Sequence, residues 1–422
     1  MHDKTLQFTD HPFRAKALGE IHARPVQPLG PEGRLRKVAT YFGREPGRHD
    51  QMREEFASWC HKNQIKPQFL TDRQARYQVG EYAVTWQLHS EHVSITWMPE
   101  SLPDDPWPQG IGLEAITAAQ LLVTTRVDLI NAETIHQNAL KGFRRASLFY
   151  AKVEEGMAEI ATDFLPDKDG FTRLEFAGAG ISDVRRGVIA RYLLEVETFR
   201  SLALVALPVA QDIGPKVDNV ERGLENILKR LNSEPDSENN EELLAELNKL
   251  ALETANFHNE TNTLFAASYS YDQLVRHRLG LLEEKRVTGH TNMARYLSNR
   301  MDPAMSTCAA LQSRLNALTD RLTRAAELLN TKVSIEIHKQ NQDALKAISD
   351  TSVSQYKLQT TVEGLSTIAI TYYALGVIGY IVAGLNIEGM PSKSFVLAIA
   401  APFVLALTWL AMRHIRQLHN KH

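Results

Sequence analysis

The chain has 422 residues, with 47 Lys and Arg against 50 Asp and Glu and a formal net charge of −3. That length suits about two or three domains, and the even charge balance argues against a protein that coats nucleic acid. Two cysteines far apart in sequence, Cys60 and Cys308, can build neither a disulfide framework nor a four-ligand zinc site, so the bulk of the chain fits a reducing compartment.

Residues 1–30 are polar and lack the apolar stretch of a signal peptide, which places the N-terminal part in the cytosol. Within them Glu20, His22 and Arg24 alternate along one short segment. A carboxylate, an imidazole and a guanidinium together can do acid–base work on a phosphate ester, but such a segment more commonly anchors a terminus through hydrogen bonds and ion pairs. Residues 1–180 read as an α+β domain. Strands are expected at 35–42 and 121–130, and a helix at 51–64. A hairpin is expected over 82–98, with Trp86 and Trp97 on its arms and Ser90-Glu91 near its turn. His89 and His92 flank that turn with a His-x-x-His spacing. A metal site is one reading of it; exposed turn residues are the simpler one. A second strand pair, 157–164 and 172–176, is joined through Asp167-Lys168-Asp169-Gly170. Asp167 and Asp169 look like the start of a calcium loop, but no glutamate follows at the required distance, so the pair reads as a turn.

Residues 181–303 form a helical region. Ser182 is a fitting N-cap for a helix over 183–207 that Pro208 closes, and Pro215 is placed to open the next, ending near Leu231. Residues 233–242 are an acidic linker, which could sense divalent cations weakly but fits a solvated connection. A helical run begins at Leu243 and extends to Thr261, and helical character then resumes through Leu282. From 304 to 363 there are 60 residues without Gly or Pro, a stalk of about 90 Å as one helix. Leu311, Leu315, Leu318, Leu322, Ala325 and Leu329 follow a 4-3-4-3-4 spacing, a coiled-coil seam. Beyond it the stalk turns polar, as a helix lining water would.

Residues 364–387 and 394–412 contain no charge. A helix needs about 20 apolar residues to cross a bilayer, so both read as transmembrane. The basic tail at 413–422, with Arg413, His414, Arg416 and Lys421, puts the C-terminus in the cytosol by the positive-inside rule. The expected architecture is therefore an α+β cytosolic domain, a helical region, a long stalk helix and a C-terminal two-helix transmembrane hairpin. The lipid bilayer is its first partner.

The loop between the spans reads Gly384-Leu385-Asn386-Ile387-Glu388-Gly389-Met390-Pro391. Here the last 120 residues or so resemble the CorA-type magnesium channels. In those channels the first of two C-terminal spans closes on a Gly-x-Asn motif, followed by a short acidic loop that often contains Met-Pro. Ala383 stands where that family commonly has Tyr, and Leu385 where it has Met. The resemblance implies a homo-oligomer, a pentamer in that family, conducting Mg²⁺ or another divalent cation. Asn386 would be the filter, Gly384 the turn out of the helix and Glu388 the mouth. Chemically, a ring of Asn carbonyl oxygens can hold a hydrated Mg²⁺ without stripping its water. Counting back from Asn386 puts Gly379 and Leu375 on its face, with Thr371 nearby, as pore-lining candidates. The simpler alternatives are a helix C-cap for Gly384 and Asn386 and close helix packing for the glycines.

A second resemblance spans nearly the whole chain. His11-Pro12, Glu20-Ile21-His22-Ala23-Arg24-Pro25, the Leu-Glu-Val-Glu-Thr-Phe-Arg run at 194–200 and the stretch 370–380 are similar to a bacterial family of uncharacterised membrane-anchored proteins. It implies an inner-membrane protein and no particular activity. No Walker loop, Gly-x-Ser-x-Gly elbow or His-Glu-x-x-His helix is present, so neither an enzyme nor a bound cofactor is expected. The second reading of function is a scaffold or regulatory protein whose hairpin only tethers it.

Overall fold

The computed structural model describes residues 10–14, 17–18, 26–43, 45–233, 240–384 and 392–419. The chain divides into two units, Met1–Arg230 with Ala245–Ala325, and Leu231–Leu244 with Ala326–His422.

The first unit is built on one ten-stranded sheet. Its strands are β1 (Gly33–Tyr41), β2 (Gln68–Thr71), β3 (Gln74–Val79), β4 (Tyr82–Leu88), β5 (His92–Pro99), β6 (Gln120–Ile130), β7 (Phe149–Val153), β8 (Ala158–Pro166), β9 (Thr172–Ala177) and β10 (Lys285–Arg286). They lie in the order β10-β7-β8-β9-β6-β1-β5-β4-β3-β2. Only β6 and β9 pair in parallel; the other neighbours are antiparallel. The expected hairpin at 82–98 is β4–β5 and the second expected pair is β8–β9. Strands β2, β3, β7 and β10 are additional to the expectation.

The period of two decides what each face meets. Val84, Trp86 and Leu88 of β4 are buried with Val38, Ile95 and Trp97 against helix α1 (Arg48–Lys62). Phe56 of α1 stacks on Trp86 with ring centroids 4.2 Å apart. On the opposite face Leu35, Val127, Leu129, Leu174 and Phe176 pack against Ile189, Leu193 and Val196 of α2 (Asp183–Leu204). The Ser182 hydroxyl caps α2 by accepting from the Arg185 N–H at 3.4 Å.

A charged ladder crosses the middle of the sheet. Register puts Arg36 of β1 opposite Arg126 of β6, and Arg126 opposite Arg173 of β9. Three neighbouring arginines would repel, and four carboxylates answer them. Arg36 pairs with Asp104, whose side chain is wholly buried; Arg126 pairs with Asp167 at 2.5 Å; Arg173 pairs with Glu175; Arg34 binds Asp128 at 2.5 Å and Asp104 at 2.9 Å. The Arg36 guanidinium also lies 5.4 Å from the Phe171 ring centroid. Burial, aided by Arg34 and Arg126 and opposed by Asp128 and Asp167, lowers the pKa of Arg36 to about 10, so it stays charged at neutral pH.

The helices correct three boundaries. α2 stops at Leu204, and α3 (Ala206–Ser233) then contains both Pro208 and Pro215. Pro208 sits in the first turn, where its missing N–H has no helical partner to lose. Pro215 costs one hydrogen bond in a helix held by the buried stripe Ile213, Val217, Val220, Leu224 and Ile227. The second correction concerns the linker: its last residues, Asn240, Glu241 and Glu242, are the first turn of α4 (Asn240–Leu282), where carboxylates favour the helix dipole. Residues 234–239 lie outside the described set. Helix α5 (Met293–Gly384) starts before the expected stalk and passes through Pro303. Glu284 sets that start by accepting from the N–H groups of Met293 at 3.2 Å and Ala294 at 2.9 Å. The seam residues Leu311 to Leu329 are buried, and Arg314 pairs with Glu221 of α3 at 2.8 Å.

In the second unit, residues 337–362 of α5 are all exposed, including Ile337, Leu345, Ile348 and Leu358. The chain continues through the first apolar segment to Gly384, and α6 (Lys393–His419) holds the second.

Candidate functional site

The two apolar segments form the membrane hairpin, with peak mean hydropathies of 1.7 on α5 and 2.3 on α6. Both are long and apolar enough to anchor the chain in a bilayer. Two polar residues meet inside the hairpin. The Thr371 and Thr408 hydroxyls are 2.8 Å apart, so one donates to the other while the accepting hydroxyl gives its own hydrogen to a carbonyl of its helix, Thr367 at 2.7 Å from Thr371 or Val404 at 2.9 Å from Thr408. A hydroxyl in hydrocarbon needs such partners. One turn on, Leu375 is half-buried, and Gly379 is buried where a Cβ would stand 3.5 Å from Leu397. A glycine there lets the two helices approach closely.

The stripe Thr371–Leu375–Gly379, which counting back from Asn386 assigns to a pore, therefore lies against the second span of the same chain. The opposite side of the first span presents Tyr373 and Tyr380, 73% and 81% exposed, together with Gly376 and Gly384, which have nothing within 4 Å of a Cβ position. At the ends, Lys393 lies 6.0 Å from the Tyr380 ring centroid and Arg413 lies 5.3 Å from that of Trp409. Aromatic and basic pairs of this kind suit the membrane–water boundary. Gly384 ends the described part of α5. Asn386 and Glu388 lie outside the described residues, as do Leu385, Met390 and Pro391.

The other sequence candidates separate cleanly. Glu20, His22 and Arg24 lie outside the described residues. Asp167 is a turn residue: its Oδ1 accepts from the Asp169 N–H at 2.9 Å and the Phe171 N–H at 3.0 Å, while Oδ2 takes Arg126. His89 and His92 are brought together, but face to face, with ring centroids 4.0 Å apart and planes at 8°. His92 is only 2% exposed, so the exposed-turn reading fails for it. Among the described residues no cluster of three His, Cys, Asp or Glu side chains is arranged to hold a metal. Cys60 is no nucleophile at neutral pH, because burial pushes its thiol up to about 11.

Sequence reading missed the arginine ladder. Its signal is present: Arg34-x-Arg36, Arg126-x-Asp128 and Arg173-x-Glu175 put charges at alternate positions of three strands, which marks one charged face.

An α+β domain, long helices and a C-terminal apolar hairpin define a protein of membrane-anchored architecture. The family model described as a protein of unknown function (DUF3422) matches residues 9–419, and the chain belongs to that family. No curated protein matches. Among solved structures, the CorA magnesium transporter from Methanocaldococcus jannaschii is matched at 12% identity over 70% of this chain and 91% of that one, with a TM-score of 0.16. A superposition that poor carries no inference about fold or activity.

Proposed function

We propose that the protein is a homo-oligomeric channel or transporter for a divalent cation, Mg²⁺ first, in the inner membrane of a bacterium. Its N-terminal domain and basic tail face the cytosol. The observation that carries this reading is the first span itself: one helix, α5, runs through the first apolar segment as far as Gly384, the first residue of the Gly384-Leu385-Asn386 sequence. Two helices cannot enclose a pore, so conduction requires several copies. The exposed apolar residues Ile337, Ile348 and Leu358 on α5 favour burial against other copies.

With Thr371, Leu375 and Gly379 turned toward the second span, the pore wall falls to the other side of the first, at Tyr373, Gly376, Tyr380 and Gly384. The filter at Asn386 and the cation-concentrating mouth at Glu388 then require the chain to leave the helix at Gly384, since a continued helix would return Asn386 to the face of Thr371, Leu375 and Gly379. The second reading, a tethered scaffold or regulatory protein, is favoured by the same Thr371–Thr408 contact, because a hairpin that satisfies its own polar groups can serve as an anchor alone.

Mg²⁺ uptake into proteoliposomes loaded with a magnesium-sensitive dye separates the two. Uptake by the wild type that falls in Asn386→Ala supports the channel. Absence of uptake from a well-folded protein, repeated with Co²⁺, Ni²⁺ and Zn²⁺, leaves the tether.

A further inference from the structure

The first seam on α5 ends at Leu329. Its register, carried on, falls on Lys332, Glu336, Lys339, Asp343, Lys346 and Asp350, so the face that is buried up to Leu329 is charged beyond it. A second seam starts at Ile337 and repeats the 4-3 alternation as far as Val362, through Asn341, Ile348, Gln355 and Leu358. It stands one residue out of register with the first, roughly 100° round the helix. No charged residue falls on it, and Lys339, Lys346, Asp350 and Lys357 stand on the far side of the helix.

Among the described residues nothing covers this second seam. Residues 337–362 are all exposed, Ile348 by 63% and Leu358 by 66%. An unpacked helix is marginal in water, and Ser349, Thr351, Ser352, Val353 and Ser354 are poor helix formers. Packing on the uncharged face is what such a helix requires.

Two features say what packs there. First, α5 continues without a break into the first apolar segment. Any two copies in one bilayer therefore present their second seams in parallel and at the same height. Second, the seam leads onto the side of the first span turned away from α6. Five helical turns take about 18 residues, which carries Gln355, Leu358 and Val362 to Tyr373, Gly376 and Tyr380.

We propose that copies of the chain join through residues 337–362 as a parallel, in-register coiled coil. Ile348 and Leu358 fill its core. Asn341 and Gln355 each meet their own counterpart, and a buried amide is satisfied only when the same amide stands at the same level, which fixes the register. The proposal rests on the proposed homo-oligomer and makes no use of conduction.

The test is cysteine crosslinking of the full-length protein in isolated membranes of the cells that express it, under mild oxidation. Cys60 and Cys308 are buried and stay silent. Ile348→Cys and Leu358→Cys stand on the seam; Lys346→Cys and Lys357→Cys, at positions also exposed in the single chain, stand on the charged side. A disulfide needs Cα atoms within about 7 Å, so the two seam variants should give about tenfold more covalent dimer than the two charged-side variants. Adding Ile348→Asp to Leu358→Cys should cut its yield to the charged-side level, because a carboxylate in the core of a coiled coil is buried unpaired. Light scattering of the wild type in detergent separates the seam from the oligomer it rests on. A multimer whose seam and charged-side cysteines crosslink alike, or not at all, overturns the seam and leaves the oligomer standing. A single-copy mass with no crosslink overturns both.

Discussion

Acidification should loosen the first unit through His92. Its ring is 2% exposed, stacks on His89, meets Tyr271 edge-on at 6.2 Å and sits opposite Tyr41 in the β1–β5 register. Neither ring nitrogen has a hydrogen-bond partner among the described residues. Burial, then His89 and Lys37, hold its pKa well below the ordinary 6.5. The folded protein therefore keeps His92 neutral where the unfolded chain already binds a proton. Stability from this group is intact above pH 6.5 and is lost as pH falls below it, at about 1.4 kcal/mol per pH unit. Between pH 7 and 5 the loss reaches at most about 2 kcal/mol, or about 3 °C in melting temperature for a unit of roughly 300 residues. His92→Phe keeps an aromatic ring on His89 and cannot charge. Thermal unfolding of wild type and variant across that range should give curves that diverge below pH 6.5, with the variant flatter. Parallel curves would refute the argument that His92 is buried neutral.

Three further perturbations test the packing. Arg36→Met leaves the buried Asp104 carboxylate with Arg34 as its remaining partner and should cost about 1.5 to 3 kcal/mol in denaturant unfolding, most of it recovered in Arg36→Met/Asp104→Leu, where Arg34 keeps Asp128. If the double variant is as unstable as the single one, the pair is not the unit that matters. In the hairpin, a double-mutant cycle of Thr371→Val and Thr408→Val should show a coupling of about 0.6 kcal/mol in detergent unfolding, the usual scale for such contacts in membranes. Gly379→Leu should destabilise the hairpin by about 1 to 3 kcal/mol by forcing its spans apart at Leu397. A zero coupling together with a neutral Gly379→Leu would place the two spans apart.

Much of this organisation was legible in the residues, and the exceptions share a cause. The β4–β5 hairpin could be read because alternation of Val84, Trp86 and Leu88 is a local signal, and the spans because an absence of charge over 24 and 19 residues is local too. The prolines misled because their local meaning, a missing N–H, is cancelled by position at Pro208 and outweighed by a buried stripe at Pro215. The arginine ladder was invisible for a different reason. Arg36, Arg126 and Arg173 come one from each strand, and what joins them is register between strands far apart in sequence. The same limit governs the first span. Helical periodicity placed Thr371, Leu375 and Gly379 on one face correctly, since that follows from 3.6 residues per turn. It carries no information about what the face meets. A second helix of the same chain and the axis of an oligomer both ask for small and hydroxylated residues, and only the position of Thr408 opposite Thr371 distinguishes them. A helix that gives one face to its hairpin partner turns the opposite one to the lipid or to another chain. On that face stand Tyr373, Gly376, Tyr380 and Gly384.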